Sequence, residues 1–312
     1  MQPDQIPLID IAALSGGDLA ARRAVAHAVG AACRDIGFFA ITGHGIPATQ
    51  MAQAFEAGQR LFELDAGAKE ALSIRRHGHN RGYVALGVES LDEKAAPDLK
   101  EAYNLVWDGA SDRPANLWPP IAGWQTPVQA YFDAVLAVGR RLHRAFALDL
   151  GLAEDFFADK LDQPMATLRF LRYPPAPTTQ SGTSGGAQAG AGAHTDYGNV
   201  TLLATDGVPG LQVQSRDGRW IDAPHLPGAF MCNIGDCLMR WSNDVYLSTP
   251  HRVGAPPRLR HSIAFFLDPN PDALVSALPG CVPAEQAPRH PPITAAEHLR
   301  QRLQATYGGE AG

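Results

Sequence analysis

The stretch from residue 166 to residue 270 constrains the fold most. It breaks into short β-patterned runs at 167–173, 200–204, 211–214, 219–221, 229–234, 247–253 and 259–267, separated by turns rich in Gly and Pro. Many short strands at this spacing predict a sandwich, barrel or jelly roll. Within them Arg216-Asp217-Gly218-Arg219 predicts a tight hairpin. Upstream, strands are predicted at 6–11 and 37–41. Helical spacing of apolar residues predicts helices at 18–34, 49–64 and 128–152, and the chain reads as irregular from Asn80 through Tyr103. The Gly-, Ser-, Ala- and Thr-rich stretch 174–192 predicts a surface loop, and a last helix is predicted at 294–307. The expected fold class is mainly β with flanking helices. A single domain is expected over 1–312, with a helix-rich part at 1–165, a β core at 166–270 and a closing segment at 271–312.

Composition narrows the function classes. Lys and Arg total 26 against 32 Asp and Glu, a formal net charge of -6 with no extended basic run. That lacks the electrostatic footprint of a nucleic-acid binder, so the expected partner is a small molecule. No run approaches the roughly eighteen apolar residues of a membrane span, and the N-terminus has no signal-peptide pattern. Cys33, Cys232, Cys237 and Cys281 are scattered and never spaced C-x-x-C, which fits neither a disulfide scaffold nor a zinc knuckle. A reducing, cytoplasmic location is expected.

The informative run is Ala193-His194-Thr195-Asp196-Tyr197-Gly198-Asn199-Val200. In extended chain, alternate side chains share a face, so His194 and Asp196 can converge on one ion. His251 offers a third donor, with 54 residues between it and Asp196, room for a jelly-roll chain to return beside its earlier strand. Two imidazoles and one carboxylate leave coordination positions open, the arrangement of non-heme Fe(II) oxygen chemistry. An isolated H-x-D tripeptide is weak evidence, and His251 alone reads as a hydrogen-bonded sheet histidine. The run Arg260-His261-Ser262-Ile263-Ala264-Phe265-Phe266 adds weight. Alternation sets the Arg260 guanidinium and the Ser262 hydroxyl side by side, where they can hold a carboxylate.

With these residues in view, the chain resembles the iron(II)- and 2-oxoglutarate-dependent dioxygenases of the isopenicillin N synthase-like family. The resemblance runs through Gly37-Phe38-Phe39, Gly43-His44-Gly45-Ile46, His194-Thr195-Asp196, Asn233-Ile234-Gly235-Asp236, Trp241-Ser242-Asn243, Pro250-His251-Arg252-Val253 and Arg260-x-Ser262. It implies a distorted double-stranded β-helix (jelly roll) core, with His194, Asp196 and His251 as iron ligands. It further implies that Arg260 and Ser262, helped by Tyr173, grip the distal carboxylate of 2-oxoglutarate, and that dioxygen is the second cosubstrate. Oxidative decarboxylation of 2-oxoglutarate would then be coupled to hydroxylation, desaturation or cyclisation of a small molecule.

Alternation from Tyr173 puts Arg169 on the same side, which looks like the arginine of the ethylene-forming relative. Tyr197 and Phe266 look like pocket-wall aromatics. Tyr83, Val88, Glu89 and Tyr103 fall in the region that caps the pocket in relatives. His261 stands where the family commonly has an aromatic, and alternation turns it outward. His77, His79, Arg75 and Arg76 read as a solvated loop, and His44 and His225 as turn or loop residues. Two other readings remain open here. One is an isopenicillin N synthase-like oxidase that uses dioxygen without 2-oxoglutarate; the other is a non-catalytic jelly roll that binds a small acid.

Overall fold

The computed structural model describes residues 5–89, 98–109, 113–175 and 190–307. In chain order the principal strands are β1 (Leu8–Asp10), β2 (Phe38–Thr42), β3 (Gly82–Val84), β4 (Glu101–Val106), β5 (Met165–Tyr173), β6 (Ala191–His194), β7 (Val200–Thr205), β8 (Leu211–Gln214), β9 (Trp220–Asp222), β10 (Phe230–Ile234), β11 (His251–Val253) and β12 (Arg260–Asp268). The helices are α1 (Leu19–Asp35), α2 (Ala48–Phe62), α3 (Ala66–Ala71), α4 (Ile74–His77), α5 (Gln125–Asp149), α6 (Asp236–Trp241) and α7 (Ala295–Tyr307). Most of the loop expected at 174–192 lies outside the described residues.

Two sheets face each other. The larger has eight strands in the order β1-β2-β10-β7-β12-β5-β4-β3, and the smaller has four in the order β6-β11-β8-β9. Alternation sorts β12 cleanly. Ile263, Phe265 and Leu267 join the cluster shared with the helices. Ala264 and Phe266 join a second apolar cluster with Phe38, Leu171, Tyr173, Val213 and Val253, drawn from both sheets. The jelly-roll interior is therefore the space between the sheets. His261 points away from it, stacking on Phe62 with ring centroids 6.4 Å apart.

The helices back the large sheet because their apolar faces match its outer side. Gly139 lets α5 approach closely: an added Cβ would lie 2.6 Å from Leu267 Cδ2. Helix α1 starts where the Asp18 side chain accepts from the Ala20 amide at 2.9 Å. Beyond its end stands Gly37, with φ 69°, whose amide donates to Ala32 O at 2.9 Å. The predicted hairpin forms, with Ser215 N donating to Arg219 O at 2.8 Å between β8 and β9.

Three sequence expectations need correction. The stretch from Asn80 through Tyr103 supplies β3 and the start of β4, which extend the large sheet past the barrel. Residues 101–105 are buried on both faces, so the strand shows no polar alternation to read. The strand expected at 247–253 is only His251–Val253. The extended run through His194 and Asp196 stops at His194, and the chain turns there.

Candidate metal centre and carboxylate anchor

His194 ends β6 and His251 begins β11, and the two are register partners in the small sheet. Asp196 follows in the turn leading to β7. Its Oδ1 lies 3.8 Å from His194 Nε2 and 3.7 Å from His251 Nε2. One donor atom from each of the three residues lies within 4.8 Å of the others. Two donors each about 2.1 Å from one ion stand at most about 4.2 Å apart, so both His–Asp separations fit a single metal.

Each imidazole is oriented by the backbone. His194 Nδ1 lies 2.7 Å from Gly192 O and His251 Nδ1 lies 3.1 Å from Thr249 O. A carbonyl only accepts, so the proton sits on Nδ1 and the Nε2 lone pair faces Asp196. Burial, and next the neighbouring His251, push the His194 imidazole down to about 3, which keeps it neutral and ready to ligate. Burial alone would raise the Asp196 carboxyl. The flanking imidazoles and hydrogen bonds from Asn233 and Thr201 outweigh that and hold it below the usual carboxylate range. Phe38 fixes His251 from the interior, with ring centroids 5.3 Å apart and planes at 72°.

The turn that carries Asp196 is held by the start of α6. Asp236 N donates to Asp196 O at 2.7 Å, Cys237 N to Gly198 O at 3.0 Å and Gly235 N to Asn199 O at 3.0 Å. A Cβ on Gly235 would come within 2.3 Å of Gly198 O, so this seam requires glycine. Asn233 Nδ2 donates to Asp196 Oδ2 at 2.7 Å, and Thr201 Oγ1 donates to the same oxygen. Oδ2 is thereby occupied and Oδ1 left toward the imidazoles. Sequence reading noticed Asn233 and Gly235 only as motif letters and passed over Thr201; the Asn-Ile-Gly-Asp spacing was the available signal. Outer partners of this kind typically contribute 10- to 100-fold in metal affinity. Asn233→Ala should therefore weaken Co(II) binding about 10- to 100-fold in a competition titration, and unchanged affinity would refute the role.

Asp268, at the end of β12, was also missed. It is packed so tightly over Gly198 that a Cβ there would lie 1.4 Å from Asp268 Oδ1. Burial first, and the Asp196 charge second, push its carboxyl up to about 7. Against an unfolded value of about 3.9, the metal-free native state binds more protons between the two. Stability from this group is thus complete below about pH 4 and lost as pH rises toward 7. Asp268→Asn should flatten the decline in melting temperature across that window; parallel curves for the two proteins would contradict the assignment.

The anchor lies deeper between the sheets. Arg260 is 1% exposed, and register pairs it with Tyr173 while Ser262 pairs with Leu171. Its Nε donates to Val208 O at 3.2 Å and its Nη1 to Ser262 Oγ at 3.3 Å. The guanidinium sits over the Tyr173 ring at 4.9 Å. Among the described residues no carboxylate forms an ion pair with it, although a buried guanidinium calls for an anion. An open cleft of about 540 Å³, lined by Leu203, Leu211, Leu226 and Met231, also reaches Arg260.

The three expected pocket residues divide. Phe266 belongs to the interior cluster. Arg169 faces inward as well and pairs with Glu89. The Tyr197 ring lies instead against α7, with the Arg302 guanidinium 5.1 Å from its centroid.

Comparison with known proteins agrees with this geometry. Residues 6–121 match the family model described as non-haem dioxygenase in morphine synthesis N-terminal, and residues 164–269 match that of the 2OG-Fe(II) oxygenase superfamily. The chain is 34% identical over 324 residues to the 2-oxoglutarate-Fe(II) type oxidoreductase hxnY of Emericella nidulans, covering 99% of this chain and 92% of that one. It is 33% identical over 326 residues to a homoarginine-6-hydroxylase of Oryza sativa subsp. japonica, covering 97% of each. A full-length Neurospora crassa protein crystallised with alpha-KG and thymine superposes with a TM-score of 0.89 at 33% identity, covering 97% of both chains. Full-length similarity of this kind, joined to two imidazoles and a carboxylate converging near a buried arginine, makes the chain a member of the 2OG-Fe(II) oxygenase superfamily, a dioxygenase that uses iron(II), 2-oxoglutarate and dioxygen on a small molecule.

Proposed function

We propose that this single-domain chain holds iron(II) through His194 Nε2, Asp196 Oδ1 and His251 Nε2. In this reading Arg260, Ser262 and Tyr173 seat the distal carboxylate of 2-oxoglutarate, while Arg169 and Phe266 face the substrate and Tyr197 supports the ligand turn from the α7 side. The carrying observation is that both Nδ1 atoms are committed to backbone carbonyls, so both Nε2 lone pairs converge on one carboxylate oxygen.

When bound, iron(II) with 2-oxoglutarate and dioxygen supplies the oxidising chemistry, and 2-oxoglutarate leaves as succinate and carbon dioxide. The protein contributes position and exclusion of water. Asn233 and Thr201 hold Asp196 so that one oxygen faces the ion. Arg260, with guanidinium N–H donors beyond the two used on Val208 and Ser262, has donors left for a carboxylate. The apolar interior of Phe38, Leu171 and Phe266 keeps the surroundings dry.

The substrate is proposed to be a free small molecule rather than a nucleic acid, in keeping with the net charge of -6. Among the described residues no helix is long and apolar enough to cross a membrane. A cytoplasmic location is proposed on the four cysteines, all buried and free. The test is succinate release from purified protein given iron(II), 2-oxoglutarate and a metabolite panel. Succinate should require both iron and a panel member for full rate. Substrate oxidation that proceeds without 2-oxoglutarate would overturn the role given to Arg260.

A further inference from the structure

Helix α7 lies against the turn that carries Asp196. Two of its residues, His298 and Arg302, stand four apart and so share one face of the helix. His298 is buried, and its Nε2 lies 3.1 Å from Tyr197 O. A carbonyl only accepts, so the imidazole donates. Arg302 reaches the same turn with two nitrogens: Nε lies 2.8 Å from Asp236 Oδ2, and Nη2 donates to Thr195 Oγ1 at 3.3 Å. Thr195 Oγ1 in turn donates to Asp236 Oδ2 at 3.1 Å, which closes a ring of three polar contacts. The Arg302 guanidinium also covers the Tyr197 ring. Both chain neighbours of the ligand Asp196, Thr195 and Tyr197, are thus held by α7.

The helix is itself anchored. Ala295 N donates to Ala273 O and Ala296 N to Pro271 O, each at 2.9 Å. From the other side, the first amides of α6 hold the carbonyls of Asp196, Tyr197 and Gly198. Asp236 joins the two supports, since its amide donates to Asp196 O and its carboxylate takes Arg302. An ion pair whose side chains are 37% and 10% exposed adds little to stability. Its consequence lies in position. An ion bound by a slack turn would have to freeze the backbone of residues 195–197, and that lost entropy subtracts from affinity. A turn fixed during folding loses nothing more when the ion arrives.

We infer that α7 is a clamp that sets metal affinity. Arg302 and His298 are positioning residues, which act on Asp196 through Thr195, Asp236 and the Tyr197 carbonyl. This rests on the iron assignment above and extends it to the C-terminal helix. The same helix supplies a control. Arg300 is two residues from each of them, which puts it on the opposite side of the helix. There it pairs with Glu297 at 2.6 Å, with side chains 53% and 38% exposed.

The experiment is a Co(II) competition titration of the full chain against a chelating dye, paired with the visible absorption of the bound ion, which reports the geometry of its donors. Arg302→Ala should weaken Co(II) at least about tenfold, the lower end of the range for outer partners, and shift the absorption. Its apoprotein should melt within a few degrees of wild type. Arg302→Lys keeps the charge but loses the planar fork, so its affinity should fall between those two proteins. His298→Leu should weaken Co(II) by a similar factor, and His298→Gln, which retains a side-chain N–H for Tyr197 O, should recover most of the loss. Arg300→Ala should match wild type in affinity and absorption. Wild-type affinity in Arg302→Ala, a loss in Arg300→Ala as large as that in Arg302→Ala, or equal losses in His298→Leu and His298→Gln would overturn the clamp. Should Arg302→Ala misfold, Arg302→Lys decides, and wild-type affinity there would overturn the clamp as well. A wild type that binds Co(II) no better than His194→Ala would instead overturn the iron assignment.

Discussion

His194→Ala should abolish both iron(II) binding and 2-oxoglutarate turnover while leaving the apoprotein folded. The side chain is 17% exposed, and its Nδ1 hydrogen bond is to Gly192 O, two residues away, so its loss removes little packing. The metal loses one of three protein donors, and the remaining pair, Asp196 and His251, cannot hold three facial positions. A ligand that binds only the native state raises melting temperature through mass action. Wild type should therefore gain thermal stability on addition of Co(II), and His194→Ala should not. The two apoproteins should melt within a few degrees of each other, as a change of under about 1 kcal/mol in a chain of this size dictates. A variant that still gains stability from metal, or still releases succinate at the wild-type rate, would remove His194 from the centre.

Arg260→Leu should raise the 2-oxoglutarate concentration needed for half-maximal turnover by roughly 30- to 4000-fold. Truncating one partner of a buried charge-assisted pair costs about 2–5 kcal/mol, and about 1.4 kcal/mol is a factor of ten. Stability should move the other way. Without 2-oxoglutarate the buried guanidinium has no ion-pair partner among the described residues, so an apolar residue of smaller volume should leave the apoprotein at least as stable. Arg260→Lys separates charge from geometry, because an ammonium keeps the charge but loses the planar fork. Its defect should lie between those of Leu and wild type. Unchanged 2-oxoglutarate dependence in Arg260→Leu would mean that the carboxylate binds elsewhere.

How much was legible beforehand follows from which signals are local. The period-two pattern of Arg260-His261-Ser262-Ile263-Ala264-Phe265-Phe266 separated the inner from the outer face of β12, because Arg260 and Ser262 share the inner face while the outer face beyond His261 is apolar. The convergence of His194, Asp196 and His251 was legible in its ligand types but not in its mechanism. The strand ends at His194, and Asp196 reaches the imidazoles through a turn held by the first amides of α6, a contact made across 40 residues of chain. No periodicity announces such a seam. Strands β3 and β4 were invisible for a different reason: one has only three residues, and the other is buried on both sides. The ion pair of Arg169 with Glu89 was hidden because the two lie 80 residues apart and Glu89 stands in a stretch without periodicity.

The central claim is that three side chains, remote in sequence, surround one iron whose open positions face a buried arginine. An anaerobic crystal structure with iron(II) and 2-oxoglutarate tests it most directly. The expected result is one ion bound by His194 Nε2, Asp196 Oδ1 and His251 Nε2, with the distal carboxylate of 2-oxoglutarate on Arg260 and Ser262. An ion held by other residues, or a carboxylate seated away from Arg260, would contradict it.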